Sequence, residues 1–367
     1  MSETPPFTRL IASLPSTVPF VAPEAIERAT GRPIALRLGA NESTFGPSPK
    51  AREAMCAAAE RVHFYADPES FELRQALARL HDVRMEQIVV GCGIDDLLGL
   101  IVRVFLDAGE TAVTSLGAYP TFNYHVAGFG GRIERVPYRD DRNDLDALAE
   151  TARQTKARLM FLANPDNPTG SWQTADDVLA FAERLPGDCL LLLDEAYSDF
   201  APAEAIPPMT AENPRVIRLR TFSKAHGMAG ARIGYAVAAE ATIQAFDKVR
   251  LHFGVSLPAQ MGALSSLGDQ EYLRAVVEQV AQGRREYAAL GESLGLPPLP
   301  SATNFVAFDA GSPQHSAALV EALARRDVFV RRPGAPPLDR LVRVTVGTAA
   351  ERQAFAEELR AALAVEG

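Results

Sequence analysis

The sequence predicts an α/β protein with a mostly parallel central sheet in a large domain and a smaller α+β domain beside it. The chain has 367 residues, which at roughly 150 residues per domain corresponds to about two domains. Its middle part alternates short apolar runs with amphipathic helical stretches, as parallel βαβ units do. Several of these runs are apolar throughout, which indicates a sheet covered by helices on both faces.

The order of the predicted elements supports this division. Strands are predicted at 87–90, 111–115, 132–136, 158–162, 189–193, 216–219 and 233–238. Helices between them are predicted at 95–106, 145–154 and 174–185, where apolar residues recur every three or four positions. The later part is predicted to form helices at 241–253, 258–267 and 270–295, strands at 304–308 and 343–346, and a closing helix at 350–365. We therefore expect a large domain at 41–255 and a small domain made of 1–40 and 256–367.

The composition argues against several classes of function. Hydrophobic residues make up 47% of the chain, yet no run approaches the roughly 18 apolar residues of a membrane span, so no membrane partner is expected. The net charge of −9 disfavours binding to a nucleic-acid backbone. The three cysteines and six histidines form no metal-ligand pattern, so no metal is expected. The cysteine usage and the absence of a secretory signal pattern predict a cytoplasmic protein.

The most informative segment is the loop 221–235, TFSKAHGMAGARIGY, between two predicted strands. The hydroxyls of Thr221 and Ser223 and the planar guanidinium of Arg232 suit a phosphate group, and glycines let the backbone approach it. Lys224 is then an amine beside a phosphate, which suggests either a nucleotide-binding P-loop or a Schiff base with a phosphorylated aldehyde. The P-loop pattern GxxxxGK[ST] is absent, which leaves the Schiff base.

A Schiff base with pyridoxal 5'-phosphate needs a carboxylate that keeps the ring nitrogen protonated. Asp194 follows an apolar strand and so lies at the strand's carboxyl end, where α/β folds bind ligands. Asn167, in the proline-rich loop 164–170, and Tyr197 can donate hydrogen bonds to the phenolic oxygen of the ring from its two sides.

The segment 91–96, GCGIDD, joins a predicted strand to a predicted helix. The first turn of a helix presents free amide groups to anions. The backbone amides of Ile94 and Asp95 are therefore predicted as a second contact to the phosphate.

With these motifs the chain resembles the fold-type I pyridoxal-phosphate enzymes of the class I and II aminotransferase superfamily, and within it the histidinol-phosphate aminotransferase branch. The motifs that carry the resemblance are LPSTVPF at 14–20, NESTFGPSP at 41–49, YADPE at 65–69, GCGIDD at 91–96, Tyr119, NPDNPTG at 164–170, DEAY at 194–197, the 221–235 loop and RVTVG at 343–347. The resemblance implies a ping-pong aminotransferase that moves an amino group between an L-amino acid, or histidinol phosphate, and a 2-oxo acid.

Two other readings of the scaffold are open to test. Threonine-phosphate decarboxylases share it, and which bond at the substrate's α-carbon breaks depends on an orientation that sequence does not show. A regulator that combines such a domain with DNA binding carries an N-terminal winged helix, for which the roughly 40 residues before Asn41 are too few and too rich in proline.

The resemblance also implies roles for individual residues. Lys224 forms the Schiff base and then moves the proton, Asp194 holds the ring nitrogen, and Asn167 and Tyr197 bind the phenolic oxygen. Tyr119 stacks on the ring. The phosphate is held by Thr221, Ser223, Arg232 and the amides of Ile94 and Asp95. Tyr65 reaches the phosphate of the neighbouring subunit, which implies a homodimer with shared active sites.

At the substrate end, the resemblance assigns the α-carboxylate to Arg343 and adds Asn41, Arg331 and position 20. Relatives that accept histidinol phosphate carry tyrosine where this chain has Phe20, so one hydroxyl donor to the substrate phosphate is missing. Arg331 and Arg332 lie where the branch keeps an arginine for that phosphate. The amino donor and acceptor are therefore left open by the sequence.

Overall fold

The structure is a computed structural model that describes residues 5–16 and 22–366. Elements are numbered along the chain. The strands are β1 (Leu36–Arg37), β2 (Ile88–Gly91), β3 (Thr111–Ser115), β4 (Arg132–Val136), β5 (Leu159–Ala163), β6 (Leu190–Asp194), β7 (Val216–Thr221), β8 (Gly234–Val237), β9 (Phe305–Asp309), β10 (Val328–Phe329) and β11 (Leu341–Thr345). The helices are α1 (Arg9–Ser13), α2 (Pro23–Thr30), α3 (Pro49–Ala59), α4 (Phe71–His81), α5 (Ile94–Phe105), α6 (Thr121–Gly128), α7 (Leu145–Thr155), α8 (Ala175–Arg184), α9 (Glu240–Asp247), α10 (Leu257–Leu267), α11 (Gln270–Ser293), α12 (Pro313–Arg325) and α13 (Ala349–Glu366).

The central sheet has seven strands in the order β2-β8-β7-β6-β5-β3-β4. Strand β8 runs antiparallel to both of its neighbours, and the other pairings are parallel. The predicted α/β fold with a mostly parallel central sheet is therefore confirmed. Because the parallel strands end at one edge, the residues that follow them gather there.

Both faces of the sheet are covered, as the apolar strands predict. Along β6, Leu192 packs on the face that carries α5 and α6, whereas Leu191 and Leu193 pack on the face that carries α7 and α8. This alternation follows from the twofold period of side chains along a strand.

Side-chain caps fix the N-terminal ends of α7 and α8: Asp144 accepts a hydrogen bond from Ala147 N at 3.1 Å, and Thr174 Oγ1 accepts one from Asp177 N at 3.1 Å.

The C-terminal part of the chain has its own apolar core. Strands β9 and β11 pair antiparallel, and α11, α12 and α13 pack around them through residues such as Tyr287, Leu319 and Phe355. The N-terminal segment joins this core, since β1 pairs in parallel with β10 and Leu38 packs in the same cluster. Helix α10 instead packs in a cluster with α4, β2 and β8.

Some predicted boundaries were wrong. The helix predicted at 241–253 ends at Asp247, because the apolar residues beyond it, such as Leu251 and Phe253, are 76% and 56% exposed and give a longer helix nothing to pack against. The strand predicted from Gln87 begins at Ile88, since 85–87 form a single 3₁₀ turn. Asp194 and Thr221, predicted just after their strands, are the last residues of β6 and β7.

Candidate active site

A cavity of about 800 Å³ opens at the carboxyl ends of the parallel strands. The predicted site residues that line it are Asn41, Ile94, Asp95, Tyr119, Asn167, Asp194, Tyr197, Thr221, Ser223, Lys224, Arg232, Arg331 and Arg343. Arg332 lines it too. The fold thus brings together residues that are up to 302 positions apart, from Asn41 to Arg343.

Asp194 forms the inner end of the cavity. It is buried at the end of β6, and its Oδ1 accepts a hydrogen bond from Ala196 N at 3.0 Å. Burial raises the pKa of this carboxyl to about 7, although the Ala196 amide opposes the increase. A carboxylate in such surroundings is best satisfied by a cationic N–H donor.

Lys224 lies on the loop after β7 and extends toward the same space. Its Nζ donates a hydrogen bond to the carbonyl oxygen of Asn41 at 3.0 Å and lies 5.7 Å from the centre of the Tyr197 ring. Burial lowers the pKa of Lys224 to about 8, and the positive charge of Arg343 acts in the same direction. About a tenth of this amine is therefore neutral at pH 7, far more than for an ordinary lysine.

Asn41 connects Lys224 to Tyr197. It has a left-handed backbone with φ of 54°, which asparagine adopts more readily than most residues, and its Nδ2 donates to the Tyr197 hydroxyl at 2.9 Å. Burial raises the pKa of Tyr197 to about 12, so the hydroxyl keeps its proton. Two residues missed by the sequence analysis hold Asn41: Thr345 Oγ1 accepts from its backbone N at 3.0 Å, and Asn304 Nδ2 donates to its carbonyl at 3.1 Å.

Arg343 reaches into the cavity from β11. It donates hydrogen bonds to Asn167 Oδ1 and, through Nη2 at 3.0 Å, to the carbonyl of Gly39. Its Nε is buried without a partner among the described residues, and burial lowers the pKa of the guanidinium to about 10. Arg331 is its cross-strand neighbour through two backbone hydrogen bonds of 2.7 and 3.1 Å.

A set of anion-binding groups lies at the other side of the cavity. The hydroxyls of Thr221 and Ser223 are 2.9 Å apart, and the N-terminus of α5 begins after Gly93. Arg232 has a left-handed backbone with φ of 56°, and its Nη2 lies 3.6 Å from Asp95 Oδ2. Gly93 has φ of +90°, and a Cβ placed on it would lie 2.8 Å from Arg232 Nη2, so a side chain here would strain the backbone and displace the guanidinium. Hydroxyls, amides and a guanidinium therefore converge as a phosphate requires.

Tyr119 closes the cavity beside this set. Its hydroxyl lies 3.4 Å from Asp95 Oδ2, and burial raises its pKa, with Asp95 adding to the effect. His125, one helix turn further into α6, contacts the carbonyl oxygen of Asp95 at 2.9 Å through Nε2. The first turn of α5 is thus fixed against α6.

One predicted residue that the structure describes is not in this cavity. Tyr65 is 84% exposed, and its ring centre lies 4.8 Å from that of Phe253 on the surface. Phe20 lies outside the described residues. Conversely, the cavity contains Asn123 and Arg135, which the sequence analysis missed. The sequence feature that could have indicated Arg135 is its position near the end of the strand predicted at 132–136.

The described residues contain neither a metal-binding cluster nor a helix that could span a membrane. No group of three or more His, Cys, Asp and Glu side chains is arranged to hold a metal ion. No helix in the described ranges has the length and apolar character of a membrane span.

The fold and the cavity define an enzyme class in which a lysine, a buried carboxylate and an anion site surround one ligand. The family model for aminotransferase class I and II matches residues 33–359. The chain belongs to this family, and the predicted aminotransferase class is confirmed.

Named relatives agree with the predicted branch. The chain is 34% identical to histidinol-phosphate aminotransferase 2 of Carboxydothermus hydrogenoformans, over 97% of this chain and 99% of that one. It is 33% identical to histidinol-phosphate aminotransferase of Moorella thermoacetica, over 99% and 95%. A crystal structure of histidinol-phosphate aminotransferase from Sinorhizobium meliloti, in complex with pyridoxal-5'-phosphate, is 49% identical and covers both chains fully with a TM-score of 0.96. The cofactor predicted from the sequence is the one held by that neighbour.

Proposed function

We propose that this chain holds pyridoxal 5'-phosphate in the cavity and transfers the amino group of histidinol phosphate to a 2-oxo acid. The observation that carries the proposal is the convergence of Lys224, the buried carboxyl of Asp194 and the anion-binding groups around Arg232 in one cavity. The substrate is proposed from the likeness to histidinol-phosphate aminotransferases.

The residues fit this cofactor. The carboxyl of Asp194 lies at the inner end of the cavity, and burial raises its pKa to about 7. A protonated ring nitrogen placed there would balance the charge of this carboxylate. The hydroxyls of Thr221 and Ser223, the guanidinium of Arg232 and the amides of Ile94 and Asp95 offer a phosphate site. When bound, pyridoxal 5'-phosphate would supply an aldehyde for covalent attachment of amino groups and an electron sink for the bond broken at the α-carbon.

Separate residues of the chain would then transfer the proton, hydrogen-bond the ring oxygen and pack against the ring. Lys224, with a pKa of about 8, takes a proton on Nζ or gives one up near neutral pH, which the transfer of a proton at the substrate's carbon requires. With the cofactor in place, the Tyr197 hydroxyl would donate a hydrogen bond to the ring oxygen, and the side-chain amide N–H of Asn167 would donate one from the opposite side. Tyr119, which lines the cavity, would pack against the face of the bound ring and exclude water from it.

The substrate end is cationic. Arg343 offers a planar fork for the carboxylate of an amino or oxo acid, with one N–H still unpaired. Arg331 is its cross-strand neighbour, and Arg332 follows, so the outer cavity suits a second anionic group, such as the phosphate of histidinol phosphate. This arrangement accommodates two successive substrates that differ in size but share anionic groups.

The experiment that tests the proposal is borohydride reduction of the purified protein followed by peptide mapping. The chain has four lysines, Lys50, Lys156, Lys224 and Lys248. We expect the reduced cofactor on Lys224, and we expect Lys224→Ala to lose turnover while the control Lys248→Ala, at an exposed surface position, keeps it. Cofactor trapped on another lysine, or none trapped, contradicts the proposal. Release of CO₂ in place of an oxo product would favour the decarboxylase alternative.

We also propose that the active enzyme is a homodimer with shared sites. Tyr65 lies on an exposed apolar surface with Val62, Phe64, Leu251 and Phe253, which are 56–84% exposed. A second copy that covers this surface would receive Tyr65 at its own phosphate site. Mixed dimers of Tyr65→Ala and Lys224→Ala test this, since one site of each mixed dimer is intact and about a quarter of the wild-type activity should return. No recovery from correctly mixed dimers contradicts a shared site.

The predicted domain division and cellular location are kept as proposals. The apolar core that joins β1, β9 and α11 to α13 supports a small domain with an N-terminal contribution. The packing of α10 with α4 and β2 favours assigning α10 to the large domain, beyond the predicted boundary at residue 255. Cys56, Cys92 and Cys189 are free thiols, which fits the proposed cytoplasmic location.

A further inference from the structure

The outer cavity contains two polar residues whose side chains have no hydrogen-bond partner among the residues that the structure describes. Arg135 lies at the carboxyl end of β4 and Asn123 lies in α6, and both line the cavity. Arg135 is exposed and forms no hydrogen bond or ion pair with the residues that the structure describes. The side-chain amide of Asn123 likewise has no hydrogen-bond partner in that part of the chain, and its Oδ1 is buried. Neither side chain therefore contributes a hydrogen bond or an ion pair to the part of the fold that the structure describes.

Arg135 and Asn123 belong to the same wall of the cavity. Ile133 of β4 packs against the apolar cluster that contains Phe122 and Val126 of α6. Since alternate residues of a strand share a face, Arg135 projects from the same face of β4 as Ile133. This wall is formed by the edge strand of the sheet and by the helix that follows Tyr119.

The loop 331–335 covers the same end of the cavity from the other side. The backbone N of Leu116 donates to the carbonyl of Val136 at 2.7 Å, which ties the end of β4 to the turn after β3. In that turn Gly117 has φ of +100°, and a Cβ on it would lie 3.2 Å from Cβ of Ala335. Arg331 and Arg332 therefore meet the cavity close to the end of β4.

The outer cavity is left with a positive charge. Of the described residues that line the cavity, three carry carboxylates, and two of these are matched by arginines: Glu42 by Arg37 at 2.8 Å, and Asp95 by Arg232 at 3.6 Å. The third, Asp194, lies at the inner end. The guanidinium of Arg135 thus faces, with Arg331 and Arg332, a region that is suited to a doubly charged anion.

We propose that Arg135 and Asn123 bind the distal phosphate of the amino donor and so help to select a phosphorylated substrate. The inference rests on the proposed function, because it extends the recognition of histidinol phosphate to the α6–β4 wall. Arg135 supplies a planar pair of N–H donors to the phosphate oxygens, and the amide nitrogen of Asn123 supplies one more. Opposing arginines on the two walls would close around one phosphate.

The test compares histidinol phosphate with histidinol as amino donors to the holoenzyme, with 2-oxoglutarate as acceptor. Arg135→Gln should lower kcat/KM for histidinol phosphate about 10- to 100-fold, mainly through KM, as loss of a charged hydrogen bond does. It should change kcat/KM for histidinol by less than about twofold. Asn123→Ala should show the same selectivity with a smaller effect. The matched control is Arg132→Gln, which removes an exposed arginine from the other face of the same strand and should change neither value.

The outcomes separate this inference from the proposed function. Equal losses for both donors with Arg135→Gln would show a general role and overturn the inference. So would an unchanged value for histidinol phosphate. If the wild type uses no amino donor, the proposed function fails. Titration calorimetry of inorganic phosphate into holoenzyme then tests, without any reaction, whether Arg135 belongs to a phosphate site. Weaker phosphate binding in Arg135→Gln than in the wild type supports the subsite, and equal binding overturns it.

Discussion

Replacing Asp194 with asparagine in the cofactor-free protein removes the carboxyl whose pKa burial raises from 3.8 to about 7. The difference between the two pKa values corresponds to about 4 kcal/mol. The folded protein binds this proton more tightly than the unfolded chain does. The wild type therefore loses stability as the pH rises from about 4 to about 7, and the loss levels off above that. Between about pH 5 and pH 8 the free energy of unfolding of the wild type should fall by about 2.5 kcal/mol relative to Asp194→Asn.

Denaturant unfolding of both cofactor-free proteins at these two pH values measures the difference. Infrared difference spectra between them read the proton directly, as a carboxylic-acid band that disappears with a midpoint near pH 7. The control is Asp188→Asn, because the Asp188 side chain is 68% exposed, and its pH dependence should equal that of the wild type. If Asp194→Asn and the wild type show the same pH dependence, Asp194 is already ionised at pH 5 and the reasoning from burial is refuted.

Three further substitutions have distinct expected outcomes. Gly227→Ala should reduce the free energy of unfolding by about 2 kcal/mol or more in denaturant melts. The φ of Gly227 is +67°, and the new Cβ would lie 2.1 Å from the carbonyl oxygen of Gly46. An unchanged denaturation midpoint would contradict this prediction. Glu195→Gln should reduce the free energy of unfolding by about 3 to 5 kcal/mol, because it leaves the guanidinium of Arg218, which is 3% exposed, without its carboxylate. Calorimetric melting would measure this reduction, and a value below about 1 kcal/mol would count against the prediction. Arg343→Lys should raise KM for amino and oxo acids about tenfold or more in steady-state assays, because lysine lacks the planar pair of N–H donors. The visible spectrum of the bound cofactor should be retained. An unchanged KM would exclude Arg343 as the carboxylate partner.

The sequence could predict the residues that stand next to apolar strands. Asp194 and Thr221 end β6 and β7, and the parallel pairing of these strands brings both to one edge. A local pattern of apolar run followed by polar residue was therefore enough to bring Asp194, Thr221 and Lys224 into one site. The same reasoning placed Asn167 after β5.

Other parts of the site depend on contacts that no local pattern records. The hydrogen bonds that Thr345 and Asn304 make with Asn41 span 304 and 263 positions of the sequence. Arg135 was missed because an exposed charged residue at a strand end is common, and its place in a cavity that Arg331 and Arg332 also line is visible only in the folded chain. The end of α9 was missed for a similar reason, since the apolar residues beyond Asp247 indicate a buried helix but lie exposed.

The contacts of Asn41 have a consequence for how the enzyme is completed during synthesis. Residues 88–237 contain every strand of the central sheet, so the sheet can form while the chain is still on the ribosome. Asn41, which receives the Lys224 ammonium, is however fixed by residues 304 and 345. A nascent chain or a fragment that stops near residue 300 therefore contains the lysine but lacks the groups that orient its environment. We expect such fragments to fold into the sheet without acquiring activity, so that incomplete chains do not carry out uncontrolled chemistry on cellular amines.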